Sequence, residues 1–248
     1  MPKTLARVIA VAVVLGFPAT VLTPVAHAQD PVCTPEVVSA TSEPSPMVLP
    51  IKTTKTLTYT VTLSNSCGAT GPVSIRSTYD PGFDPLVDEM TLVSNEDGLE
   101  TFTATRTINS TGLSAAYVGF WETRLVGRGL NTDGPKAQLV WEVRLRTHAK
   151  PEPVKKGKKI TITGKVRIAN WDLNRNKRAS NAPLRLQFRT PKGDYRTIKH
   201  LTSGDRGDPK TTVTAVKDGC YRFVFDPWDK NQDRWITTRS GGDCVDVR

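Results

Sequence analysis

Past an apolar N-terminal segment, apolar and polar residues alternate with period two along most of the chain. The run KTLTYTVTLSN (55–65) sets Leu57, Tyr59, Val61 and Leu63 on one side and threonines on the other. Successive side chains of a strand point to opposite faces, so this is the pattern of a half-buried β-strand. Its β-branched residues favour the same conformation. PVSIRSTY (72–79), ETFTATRTI (100–108), GFWETRLVG (119–127) and AQLVWEVRLRT (137–147) read alike. VVSA (37–40) and PMVLP (46–50) add edge strands, with proline where an edge tolerates it. Turn-forming clusters separate the runs: SNSCGATGP, DPGFDP, SNEDG, NSTG and NTDGP. There is almost no helical periodicity.

THAKPEPVKKGKK (147–159) interrupts the alternation with two prolines and a lysine excess, and reads as a linker over 149–158. Seven further runs follow: 159–168, 183–190, 195–201, 210–216, 220–226, 235–239 and 244–248. Short strands at regular spacing with turn signals predict β-sandwiches. The expected architecture is all-β, with two tandem immunoglobulin-like β-sandwich domains at 29–148 and 159–248.

The N-terminus changes the picture of compartment. Lys3 and Arg7 precede the apolar run VIAVAVVLGF, and AHA (26–28) offers small residues for cleavage. This is the pattern of a secretory signal peptide over 1–28. No later stretch is apolar enough to span a bilayer. A secreted, extracellular protein is expected.

The four cysteines, Cys33, Cys67, Cys220 and Cys244, fall as one pair near each end of the remaining chain. Four cysteines allow three pairings. One pair per domain, Cys33–Cys67 and Cys220–Cys244, is the economical one. No CxxC spacing suggests metal ligation, and an oxidising compartment favours disulfides.

Charge is uneven. Residues 29–148 carry nine Lys and Arg against thirteen Asp and Glu, whereas 149–248 carry twenty-three against eleven. An excess of this size bears on partners more than on fold. The basic part should attract an anionic extracellular polymer or protein; nucleic acid is not expected as the physiological partner. A solvated surface that aids solubility is the plain alternative.

VKKGKKITITGKV, NAPLRLQFRTPKGDYRTI, KTTVTAVKDGCYRFVF and the ANWD turn resemble the bacterial Ig-like modules of secreted actinomycete proteins. GLSAAYVGFWETRL (112–125) is similar to the corner of an Ig-like fold, delivering Trp121 into the next strand. The resemblance implies Ig-like sandwiches and an accessory or adhesion role. The family pattern does not require cysteines at 220 and 244, so that pairing rests on proximity alone.

No catalytic motif is found. His148 and His200 sit outside any motif, and GxSxG, HExxH, P-loop and GxGxxG patterns are missing. No enzymatic activity and no cofactor are expected. Two stretches, NWDLNRNKR (170–178) and DPWDKNQDRW (226–235), place oxygen-bearing side chains at alternate positions, as calcium loops do. Counted from Asp229, however, the sixth and twelfth positions hold Arg234 and Ser240 in place of glycine and glutamate. Counted from Asp172 they hold Lys177 and Pro183. Turn-forming Asn and Asp explain both stretches without a metal.

Tryptophans with basic neighbours are the remaining candidates, because exposed rings stack on sugars or bases while cations pair with acidic groups. Trp171, Arg175, Trp228, Lys230, Arg234 and Trp235 form the expected ligand-binding set. Trp121 and Trp141 read as core. The alternative to a ligand set is that each tryptophan plugs its own loop. The functional expectation is a secreted, non-catalytic binding or envelope-associated module. A second reading is an inhibitor that offers DPWDKNQDRW to a hydrolase.

Overall fold

The computed structural model describes residues 33–77, 87–228 and 234–248. The expected signal peptide, the DPGFDP turn and Lys230 lie outside the described residues. The chain is all-β. Its only helical element among the described residues is a 3-10 turn at Ala115–Tyr117. No helix there is long and apolar enough to cross a membrane.

Among the described residues, ten strands form the N-terminal sheets: β1 (Glu36–Glu43), β2 (Met47–Leu49), β3 (Thr54–Ser64), β4 (Val73–Ser77), β5 (Val87–Glu96), β6 (Leu99–Asn109), β7 (Gly119–Trp121), β8 (Thr123–Gly127), β9 (Leu130–Asp133) and β10 (Ala137–Trp141). One sheet runs β1-β3-β6-β5-β4-β8-β9 and the other β2-β10-β7, with β2 and β10 parallel. The alternation in β3 does what its pattern predicts. Leu57, Tyr59, Val61 and Leu63 are buried, and they pack with Met47 and Leu49 of the smaller sheet in one core. The threonines of β3 and β6 pair across strands on the other face, with Thr62 Oγ1 at 3.3 Å from Thr101 Oγ1. Such pairs suit a pleated surface and add to sheet stability.

Nine strands follow among the described residues: β11 (Val143–Lys150), β12 (Lys159–Asn170), β13 (Arg175–Arg178), β14 (Pro183–Arg189), β15 (Arg196–Thr202), β16 (Lys210–Thr214), β17 (Gly219–Phe225), β18 (Thr238–Arg239) and β19 (Asp243–Val245). One sheet orders β11-β12-β13, with β16 also on β12. The other orders β15-β14-β17-β18, with β19 also on β17. Ile160 and Ile162 of β12 meet Leu186 of β14 and Phe223 of β17 in a sandwich-like interior. The disulfides are Cys33–Cys67 and Cys220–Cys244, the expected pairing. The second links directly opposed positions of β17 and β19.

The alternating run 137–147 is two strands, not one. β10 belongs to the N-terminal sheets and β11 pairs with β12. The joint is Glu142, whose carbonyl accepts from Ala169 N–H at 2.9 Å. Period-two alternation carries no mark of a change of partner, so the run reads as continuous. The stretch 149–158, expected to be a linker, joins the C-terminal sheets at its start and is bonded to the chain's last residues at Val154. Ala149 and Lys150 end β11, and Val154 exchanges hydrogen bonds of 2.9 Å with Asp246 and Arg248.

Candidate functional site

NWDLNRNKR is a hairpin. Asn170, the last residue of β12, accepts through Oδ1 from Leu173 N–H at 2.8 Å. Asn174 N–H donates to the Trp171 carbonyl at 3.0 Å. Asn174 has φ 49°, a left-handed conformation that asparagine tolerates better than most residues. β13 then returns along β12, pairing Asn170 with Arg175 and Ile168 with Lys177. Asp172 points elsewhere, accepting from Ala115 N–H at 2.9 Å. The side-chain oxygens of Asn170 and Asp172 are thus used by backbone, whereas those of Asn174 and Asn176 are buried with no hydrogen-bond partner among the described residues. No group of three or more His, Cys, Asp or Glu among the described residues could hold a metal ion.

The structure departs from expectation at Trp171. It is not a surface contact residue: it is 1% exposed and belongs to the N-terminal core. Its Nε1 donates to the Leu49 carbonyl at 3.1 Å. The hairpin tip carries this ring out of its own sheets into the neighbouring ones, where burying a ring of that size is favourable.

Trp171 nevertheless starts a row of rings. Its centroid lies 5.9 Å from that of Trp141, which is 5.3 Å from Trp235, which is 5.0 Å from Trp228. Trp228 is also 5.2 Å from Phe225, edge to face. The row runs from a buried end to an exposed one, since Trp228 is 41% exposed. Backbone contacts fix it: Trp141 N–H donates to the Arg234 carbonyl at 3.2 Å, and Trp228 Nε1 donates to the Asn181 carbonyl at 3.3 Å.

The outer three rings, Trp141, Trp228 and Trp235, line a cleft of 390 Å³ with Asn170, Lys177 and Arg178 on its rim. The indole N–H groups of Trp141 and Trp235 are buried without a partner among the described residues. Buried donors are nearly always satisfied, so two orphans in one wall mark the place as unusual. Lys177 and Arg178 are exposed and have no carboxylate within ion-pair distance among the described residues.

Of the expected set, Trp228 and Trp235 meet in the cleft. Arg175 is exposed at the hairpin tip and Arg234 is exposed behind Trp235; neither lines the cleft. Lys230 and most of the loop offered as an inhibitory tip lie outside the described residues. The missed members are Trp141, Lys177 and Arg178. The two cations stand in NWDLNRNKR itself, and a hairpin reading of that stretch would have placed them beside the end of β12. Trp141 looked like core because it alternates within a strand; it is half-buried because that strand ends at the joint between sheets.

No protein-family model matches the chain, and no curated protein matches it. Among solved structures, the chain is similar to Salmonella alpha-2-macroglobulin reacted with methylamine. The identity is 13% and the TM-score 0.36, with 88% of this chain and 15% of that chain covered. A point mutant of the same Salmonella protein gives the same values. The chain therefore spans about 15% of the length of these macroglobulin structures.

Proposed function

We propose that the protein is a secreted, non-catalytic binding module of two Ig-like sandwiches. Its basic C-terminal part contacts an anionic extracellular polymer or protein. One observation carries the reading: a row of tryptophans opens into a cleft rimmed by two cations that no carboxylate of the described residues neutralises. Flat rings offer stacking surface, and free cations offer pairing to acidic groups. The charge excess of residues 149–248 would draw such a ligand toward the cleft. The signal-peptide pattern and two disulfides fit an oxidising, extracellular setting.

The test uses soluble acidic oligosaccharides, such as oligogalacturonate, titrated against the protein while tryptophan emission is followed. A saturable change at low ionic strength is expected. It should weaken as salt rises past the point where the Debye length is about 8 Å. Lys177→Gln with Arg178→Gln should weaken it, and Trp228→Ala should abolish the spectral change. No saturable change at low salt with any acidic oligomer would refute the reading.

A further inference from the structure

A second concentration of cationic side chains lies away from the cleft, on the outward face of the sheet that contains β14 and β17. Leu186, Phe223 and Phe225 point inward and are buried. The alternate positions, Gln187, Arg189 and Arg222, therefore share the opposite face, where register pairs Gln187 with Arg222 and Arg189 with Cys220. Arg239 of β18 pairs with Val224 and joins that face. None of the three arginines lines the tryptophan cleft.

Arg185 on the same face shows how this sheet handles an arginine with a structural partner. Its Nε and Nη2 bind the two oxygens of Asp226, each at 2.7 Å. Arg189, Arg222 and Arg239 have no carboxylate within ion-pair distance among the described residues. Glu152, Asp218 and Asp246 border the depression that Arg189 enters, yet they are otherwise engaged or apart. Asp218 accepts from Val247 N–H at 2.7 Å and Asp246 pairs with Arg248 at 3.0 Å.

Two of the arginines, Arg189 and Arg222, are also held in place. The Cζ of Arg222 stands 3.8 Å from the Tyr195 ring centroid, and that of Arg189 stands 5.2 Å from the same centroid. Arg222 Nε donates to Gln187 Oε1 at 2.8 Å, and Gln187 is buried. Gly242 makes room for the tyrosine, since a Cβ there would lie 2.1 Å from Tyr195 Oη. Arg189 Nε is buried without a partner among the described residues. Burial lowers the Arg222 pKa, the Tyr195 phenol opposes this, and the charges of Arg239 and Arg189 lower it further. A face that needed only apolar cover could use the stems of these side chains. It would not need three guanidiniums set against one another.

We propose that Arg189, Arg222 and Arg239 form a binding site for a tetrahedral oxyanion, the phosphate or sulfate group of an extracellular polymer. Guanidinium forks match such groups bidentately, and an anion with several free oxygens can engage more than one fork. A carboxylate, with two oxygens, can satisfy fewer of them. The site stands whether or not the tryptophan cleft binds anything.

The experiment is a heteronuclear NMR titration of the protein with inorganic phosphate, inorganic sulfate and acetate at matched ionic strength. Saturable shifts are expected at the arginine Nε–H signals of Arg189, Arg222 and Arg239 and at the Tyr195 amide. Acetate should bind about tenfold more weakly. Saturation by phosphate alone or by sulfate alone would support the site and say which polymer supplies the group. Arg222→Gln should lose the saturable response, and Arg222→Lys, which keeps charge but not the fork, should recover it only in part. If Arg222→Gln fails to fold, Arg239→Gln at the exposed position provides the same test. Linear shifts spread over Lys155–Lys159, equal affinity for acetate, or unchanged binding in the Arg239→Gln protein would each overturn the proposal.

Discussion

The indole N–H of Trp171 donates to the carbonyl of Leu49 at 3.1 Å, joining residues 122 apart in the chain. One partner follows β12 and the other ends β2, so the bond ties the C-terminal sheets to the N-terminal core. Deleting a buried aromatic ring typically costs about 3–5 kcal/mol, from lost transfer energy and the cavity left behind. Trp171→Ala should lose stability in that range in denaturant unfolding. Trp171→Phe keeps most of the volume but leaves the Leu49 carbonyl unpaired, and should cost about 1–3 kcal/mol. Equal stability of Trp171→Ala and wild type would mean the ring does not join the sheets as described.

The same tryptophan marks where sequence reading stops. Strands β3 and β6 are legible because each lies in the middle of a sheet with one face buried, which forces strict alternation. β5 is not. Its pairing slips between Leu92 and Ser94, leaving Leu92 and Val93 both exposed, at 45% and 55%. A bulge of this kind breaks the period that identifies a strand. β9 and β13 are short and polar, and their residues are those that turns also use. At the candidate site, Trp228 and Trp235 are legible from composition alone. The burial of Trp171 is not, because it is buried in the N-terminal core, its indole N–H bonded to a carbonyl 122 positions away.

Tyr59 gives a pH prediction. It is buried in the N-terminal core and its hydroxyl has no hydrogen-bond partner among the described residues. Burial pushes the phenol up to about 12; Arg106 pulls it down and Asp88 pushes it up. An unfolded tyrosine titrates near 10. Above about pH 10 the unfolded chain releases a proton that the folded chain retains, so alkali favours unfolding. The stability contribution is whole below the unfolded pKa and is lost as pH rises through about 12, at roughly 1.4 kcal/mol per pH unit. Tyr59→Phe should remove that part of the alkaline slope. At neutral pH it should be no less stable than wild type, because it deletes an unsatisfied buried group. Unfolding curves of both proteins across the alkaline range check the difference directly.

Gly164 in β12 tests the packing of the C-terminal sheets. A Cβ at this position would lie 2.4 Å from the Arg146 carbonyl oxygen and 2.9 Å from two carbons of the Phe223 ring. Phe223 is fully buried and cannot swing into solvent. Overpacking of this kind costs about 1–3 kcal/mol, and Gly164→Ala should show it in thermal or denaturant unfolding. Shrinking the opposing ring with Phe223→Leu should relieve only part of the strain, since the carbonyl contact persists. The double-mutant cycle should therefore give a coupling energy clear of additivity. Strict additivity would place the ring out of contact with residue 164.

Trp228 separates binding from stability. It is 41% exposed, and its ring contacts are with Phe225 and Trp235. Each aromatic pair is worth about 0.5–1.5 kcal/mol beyond area burial, so the two pairs lost in Trp228→Ala should cost about 1–3 kcal/mol. Its effect on acidic oligosaccharide binding should be larger, because the ring forms the exposed end of the cleft. Trp171→Phe should show the reverse, a loss of stability with affinity kept, because that ring is sealed from the cleft. The two variants measured side by side, by unfolding and by titration, give a crossed pattern if the cleft is the contact surface. Parallel losses in both measurements would mean that Trp228 acts through folding. Retained affinity in Trp228→Ala, together with loss in Arg239→Gln, would assign polymer contact to the arginine face instead.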